Sequence, residues 1–133
     1  MDPKIKVPQV CTAQEFKIVK QWGDAIHEEI KARDGKPVSF HFGTMIKVVR
    51  ACMRAESLAE ESEFFSFGTT DLTQAAFSFS REDAENKLLP LYTQSEVLQD
   101  NPFEVLDEKG VGKLMELAVK WGRSVKPAGR HLR

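Results

Sequence analysis

The chain is poor in the residues from which dedicated chemical sites are usually built. It holds two cysteines, Cys11 and Cys52, and neither stands in a CxxC. No disulfide framework is expected, and both thiols are expected to be reduced and intracellular. It has no excess of charge of either sign: 19 Lys and Arg against 20 Asp and Glu leave a net charge of −1. No global field therefore draws it to nucleic acid or to an acidic membrane surface, and neither is expected as a partner. Apolar runs are only a few residues long, so no transmembrane helix is expected. Met1-Asp2-Pro3-Lys4 is followed by no apolar h-region, so no secretory signal is expected either. The expected setting is the cytoplasm, with an organelle left open. There are no repeats or low-complexity stretches. What is present, 41% hydrophobic and 29% charged residues over 133 positions, suits one soluble globular domain with a real core.

The order of elements follows from periodicity and punctuation. Ile5 to Val10 is a β-prone run interrupted by Pro8, which demotes it to an edge or marks its end. Thr12-Ala13-Gln14-Glu15 has the spacing of a capping box. Phe16, Val19, Trp22, Ile26 and Ile30 then recur on one helical stripe, and Gly35 is a natural terminator, so the spacing predicts a helix over 13–33. Val38, Phe40 and Phe42 alternate with Ser39 and His41 as in a strand that runs on to Lys47. A helix is predicted over 48–61, and Phe64-Phe65-Ser66-Phe67 reads as a strand covered on both faces. The stretch 72–106 reads as short helical pieces around Pro90 and Pro102, with Ser80 to Asp83 as a second cap. A last helix is predicted over 108–124, with Val111, Leu114, Ala118 and Trp121 on one face. Residues 1–127 form the expected domain, and 128–133 a basic, solvated tail.

Strand-helix alternation implies right-handed crossovers and a parallel sheet, an α/β fold. Three strands are too few to close a barrel and leave two open edges, through which self-association is expected. In parallel α/β sheets ligand chemistry sits at the carboxyl ends of the strands. Two strand exits carry charge there: GTMIKVVRA puts Lys47 at the second, and FFSFGTTDLTQ puts Gly68, Thr69, Thr70 and Asp71 at the third. Two carboxylates at these exits would suit a hard divalent cation. A lysine and an aspartate make something else.

The segments GTMI-x-VVRACMRA, SLAEESEFFSFGT-x-DLTQ, FSFSREDAENK and NPFEVLDEKGVGKLMELAVKWGR, spread through about residues 7–127, closely resemble the pyruvate, phosphate dikinases. The matching part is the C-terminal phosphoenolpyruvate (PEP)/pyruvate-binding (β/α)8 barrel. The resemblance implies a partial TIM-type barrel that supplies part of a PEP/pyruvate site. It also implies Mg2+ as cofactor, and an activity that interconverts ATP, pyruvate and phosphate with AMP, PEP and diphosphate. The first family motif ends in a metal-binding glutamate where this chain has Lys47. The second places an asparagine where this chain has Thr70, while Gly68, Thr69 and Asp71 match. By resemblance, then, substrate falls to Gly68, Thr69, Thr70 and Asp71, and metal to Asp71 alone. The family's arginines from earlier strands, its proton-donating cysteine, its phosphorylated histidine and its nucleotide domain have no counterpart here, and His27, His41 and His131 match no carrier motif. No catalytic residue is therefore assigned, and the chain is read as a truncated product or partial gene model.

An ammonium in place of a carboxylate changes local charge by two units. One unit-charge interaction at about 4 Å and an effective dielectric near 20 is worth roughly 4 kcal/mol, so Lys47 opposes Mg2+. Four readings of Lys47 follow: an ion pair with Asp71 in a dead pocket, a residual anion site in which Lys47 substitutes for the metal, a sequence error, or a lysine pointing elsewhere. Gly68-Thr69-Thr70 is read equally as an amide cradle for a carboxylate or phosphate and as a plain tight strand exit. Cys11 and Cys52 are read as small fillers. Trp22, Trp121 and the Phe64, Phe65, Phe67 cluster are read as core, with any uncovered apolar surface left for oligomer contact.

Overall fold

The computed structural model describes residues 3–126. The sequence expectation for the tail 128–133 lies outside them, as does His131. Three parallel strands, β1 (Lys4–Pro8), β2 (His41–Ile46) and β3 (Phe65–Phe67), form a sheet in the order β1-β2-β3. Register pairs Lys4 with His41 and Pro8 with Met45, then Thr44 with Phe65 and Ile46 with Phe67. All three carboxyl ends therefore emerge along one rim of the sheet.

Helix α1 (Ala13–Asp34) crosses from β1 to β2. It starts where the sequence places its cap. The Glu15 amide donates to the Thr12 hydroxyl at 3.1 Å, and Glu15 Oε2 accepts from the amides of Thr12 and Cys11 at 2.8 and 2.7 Å. These bonds satisfy donors that the first helical turn leaves over, and the Cys11 and Thr12 amides hold the Glu15 carboxyl below its ordinary value. Gly35 ends the helix at φ 69, a left-handed conformation that costs glycine nothing.

The helix predicted over 48–61 is two, α2 (Val49–Met53) and α3 (Ala55–Glu61), with the break at Arg54. Ala51, Cys52, Ala55, Leu58 and Ala59 are all buried, a stripe that continues across the break and so reads as one helix. Behind β3 come α4 (Thr69–Phe77), α5 (Arg81–Asp83), a π-helical turn (Ala84–Leu88) and α6 (Leu89–Gln94). Ser80 caps α5 as its spacing suggests, accepting from the Asp83 amide. Helix α7 (Val111–Val125) returns across α3, α2 and α4, with its Gly122 against the Phe65 ring of β3.

The core is Phe16, Ile46, Cys52, Leu58, Phe65, Leu72, Val111 and Ala118 with their neighbours. Two buried hydroxyls beside it, Thr44 on β2 and Ser62 at the end of α3, are paired. The Thr44 hydroxyl donates to the Val7 carbonyl at 3.0 Å, and the Ser62 hydroxyl to the Phe64 carbonyl at 2.8 Å. Cys52 sits in this core, where burial pushes its thiol up to about 11. Trp22 corrects the sequence reading: it is 64% exposed, and Ile26 is 56% exposed. Helix α1 packs over β2, with the Phe16 and Phe42 rings 5.5 Å apart and Gly23 closely approached by Phe42. The outer face of β1 is left uncovered among the described residues, so Val19, Trp22, Ile26 and Ile30 of the α1 stripe line a groove. Val38 is also exposed, because β2 begins only at His41.

Candidate functional site

Parallel register places Lys47, one residue beyond β2, beside Gly68, one residue beyond β3. Gly68 is needed for this approach: a Cβ there would stand 2.9 Å from Lys47 Cβ and 3.2 Å from Asp71 Oδ2. The chain then enters α4 at once instead of passing through a loop. Its first backbone bond runs from the Leu72 amide to the Gly68 carbonyl at 3.0 Å, and Gly68 offers no side-chain cap. Asp71 thus sits in the first turn of a helix, where a carboxylate is favoured by the exposed amides. Its Oδ1 lies 3.0 Å from Lys47 Nζ. The lysine side chain is 18% exposed and the aspartate 46%, so the ammonium is the more enclosed partner.

This ion pair forms one wall of an open cavity of about 440 Å3, lined also by Gln9, Gln74, Ser78 and Ser80. Gln9 stands at the exit of β1 with φ 64, and Ser78 ends α4 with φ 57. Arg50 donates to the Cys11 carbonyl, tying the start of α2 to the turn that carries Gln9. Gln74 Oε1 accepts from the Arg81 amide at 2.8 Å, which fixes α5 against α4. Thr69 and Thr70 belong to a different recess, about 230 Å3, with Thr73, Pro102, Phe103 and Glu104. The structure therefore brings Lys47 and Asp71 together with Gly68 between them, and separates Thr69 and Thr70 from that cavity. Helical geometry explains the split, since successive residues in a first turn point about 100° apart. Gln9 was missed by sequence reading, because the rule that selected the other two strand exits looked for charge and Pro8-Gln9 carries none. Gln74, Ser78 and Ser80 carry no such signal.

Chemically the cavity is a closed charge pair among neutral groups, polar (Gln9, Gln74, Ser78, Ser80) and apolar (Val48, Ala75, Phe79). A hard divalent cation asks for oxygen ligands, including one or two carboxylates. Among the described residues no group of three or more His, Cys, Asp and Glu side chains is placed to hold a metal. The one carboxylate lining the cavity, Asp71, is already met by an ammonium. The donor set does not fit Mg2+.

A family model described as PEP-utilising enzyme, PEP-binding domain matches residues 1–131. The chain belongs to that family. As a member of the PEP-binding domain family it is α/β, and its three parallel strands with flanking helices are part of a TIM-type barrel. It is similar to the pyruvate, phosphate dikinase of Entamoeba histolytica, 46% identical over 125 residues that make up 93% of this chain and 14% of the relative. The Clostridium symbiosum enzyme of the same name is 46% identical, covering 94% of this chain and 14% of that protein. The chloroplastic pyruvate, phosphate dikinase of Mesembryanthemum crystallinum is 46% identical over 95% of this chain and 13% of its own length. The chain thus spans about a seventh of the length of the curated relatives it matches. No helix of this PEP-binding domain, among the described residues, is long and apolar enough to cross a membrane.

Proposed function

We propose that this chain is a segment of a pyruvate, phosphate dikinase-type PEP/pyruvate site whose metal-dependent chemistry has been lost. The observation that carries this reading is the Lys47–Asp71 contact at 3.0 Å. The ammonium occupies the space and neutralises the carboxylate on which a cation would depend. By itself the chain does not interconvert pyruvate and PEP. Neither described histidine lines the cavity of the ion pair: His27 lines the groove beside α1, and His41 Nδ1 is held 2.7 Å from Glu63. Cys52, with a thiol pushed up to about 11 inside the core, is no proton donor to a ligand at the rim. Gly68, Asp71 and the nearby Thr69 and Thr70 are the remnant of the substrate side. A cytoplasmic or organellar setting accords with relatives that include a chloroplastic enzyme.

Calorimetric titration tests this directly. The wild-type chain is expected to give no Mg2+-dependent heat with PEP, and Lys47→Glu, which restores a second carboxylate beside Asp71, is expected to gain it. Mg2+-dependent binding by the wild-type chain would overturn the reading. Binding without metal that disappears in Lys47→Ala would replace it with a metal-independent anion site.

A further inference from the structure

Lys47 differs from the other ion-paired lysines of the described residues in how far it is enclosed. Its side chain is 18% exposed, against 49% to 68% for Lys17, Lys31 and Lys113. It stands just past the carboxyl end of β2, the end of a parallel sheet at which ligands meet the protein, and it lines the open cavity of about 440 Å3. A lysine amine so placed attacks carbonyl carbon once it gives up a proton. The group to take that proton is already in contact, since Asp71 Oδ1 lies 3.0 Å from Nζ. A nucleophile within hydrogen-bond reach of a base is the arrangement covalent catalysis requires.

The rest of the cavity suits a small oxo acid. Gln74 commits Oε1 to the Arg81 amide and keeps its NH2 group to donate. Gln9 and Ser78 add neutral side chains that can hold a carboxylate without cancelling the charge of Lys47. Val48, Ala75 and Phe79 offer an apolar wall to a short alkyl group. The amine needs a carbonyl carbon, so a 2-oxo acid fits where PEP, an enol phosphate without a carbonyl at C2, does not.

We propose that Lys47 forms an imine with a short 2-oxo acid such as pyruvate, with Asp71 as the proton carrier. This rests on the reading of the rim as the remnant of a PEP/pyruvate site, and gives that remnant a covalent chemistry that uses no metal. Asp71 takes one proton from the ammonium, and the freed nitrogen pair attacks C2 while the carbonyl pair moves to oxygen. A second nitrogen proton passes to that oxygen, giving a carbinolamine. Asp71 returns its proton to the hydroxyl, which leaves as water while the nitrogen pair closes the C=N bond. Ammonium and ketone become iminium and water, with no oxidant, reductant or net proton required. Nitrogen carries one positive charge before and after, so the Asp71 carboxylate stabilises both states.

Borohydride trapping decides it. The chain reduced in excess pyruvate is expected to gain about 72 Da, one carboxyethyl group on nitrogen, which peptide mapping places on Lys47. With PEP in place of pyruvate the mass is expected to stay unchanged. Lys47→Arg, which keeps a cation beside Asp71, is expected to lower trapping about tenfold or more. Asp71→Asn is expected to slow it about tenfold or more by removing the proton carrier. Circular dichroism should be unchanged in both. Should either variant fail to fold, the mapped position on the wild-type chain decides alone. No adduct overturns the inference, and so does an adduct spread over exposed lysines such as Lys17 and Lys113. Trapping by folded Asp71→Asn at the wild-type rate overturns the role given to Asp71. The loss of metal chemistry fails on a different result, Mg2+-dependent heat with PEP, so the two failures are distinct.

Discussion

Helices α1 and α7 are the two long amphipathic helices of the molecule, and they meet opposite fates. Helix α7 is enclosed: Val111 and Ala118 are fully buried, and Gly122 lets Phe65 approach so closely that a Cβ would stand 2.8 Å from its ring. Helix α1 buries Phe16 alone and leaves Trp22 and Ile26 open. The difference lies in the neighbours, since α7 lies against α2, α3 and β3, whereas the outer face of β1 beside α1 has no described element over it. Periodicity states which residues share a face. It does not state whether anything covers that face.

The sharpest way to break this comparison is to damage both sides equally. Phe65→Ala removes the ring wedged between β3 and α7 and should cost about 3–5 kcal/mol in urea unfolding. Trp22→Ser, on the open side, stands at the other extreme. With the side chain 64% exposed, the change should alter stability by no more than about 0.5 kcal/mol. Equal losses at the two positions would mean that the α1 face is covered after all.

Between these extremes lies a pH-dependent contact on the closed side. Glu63 accepts from the Phe42 amide at 3.0 Å and lies 2.7 Å from His41 Nδ1, joining the start of β2 to the turn before β3. Burial raises its pKa, but the bonds from His41 and Phe42 outweigh burial and leave the carboxyl below its ordinary value of 4.5. A carboxyl depressed in the folded state stabilises above its unfolded value, and the contribution is lost as pH falls through the folded one. Glu63→Gln should therefore lower Tm at pH 6, by the equivalent of about 1 kcal/mol or less for so exposed a pair. The gap from wild type should shrink as pH drops below 4.5. A gap that persists at low pH would assign the effect to packing.

Much was legible in the chain because it rests on local rules. The capping box at Thr12 and Glu15, the left-handed Gly35 and the Ser80 cap follow from hydrogen bonds between residues a few positions apart. The βαβαβ order and the placing of Lys47 and Asp71 at neighbouring exits were legible too, because parallel strands bring their exits to one rim. Other features needed the third dimension. Gln9 joins the rim only because β1 pairs with β2 in this register. Thr69 and Thr70 part from Asp71 because α4 starts without a loop and turns their side chains away. Trp22 fits a core stripe by spacing, yet it is exposed.

The sequence by itself determined the family, the parallel α/β order and the presence of a lysine, Lys47, and not a carboxylate at the second strand exit, since each is carried by residue identity and short-range spacing. Tertiary structure alone decided that Lys47 reaches Asp71, that the threonines face another recess, and that α1 keeps an uncovered apolar face. Those outcomes depend on distances between segments far apart in the chain, and burial is a property of what packs alongside, not of the residue that is buried.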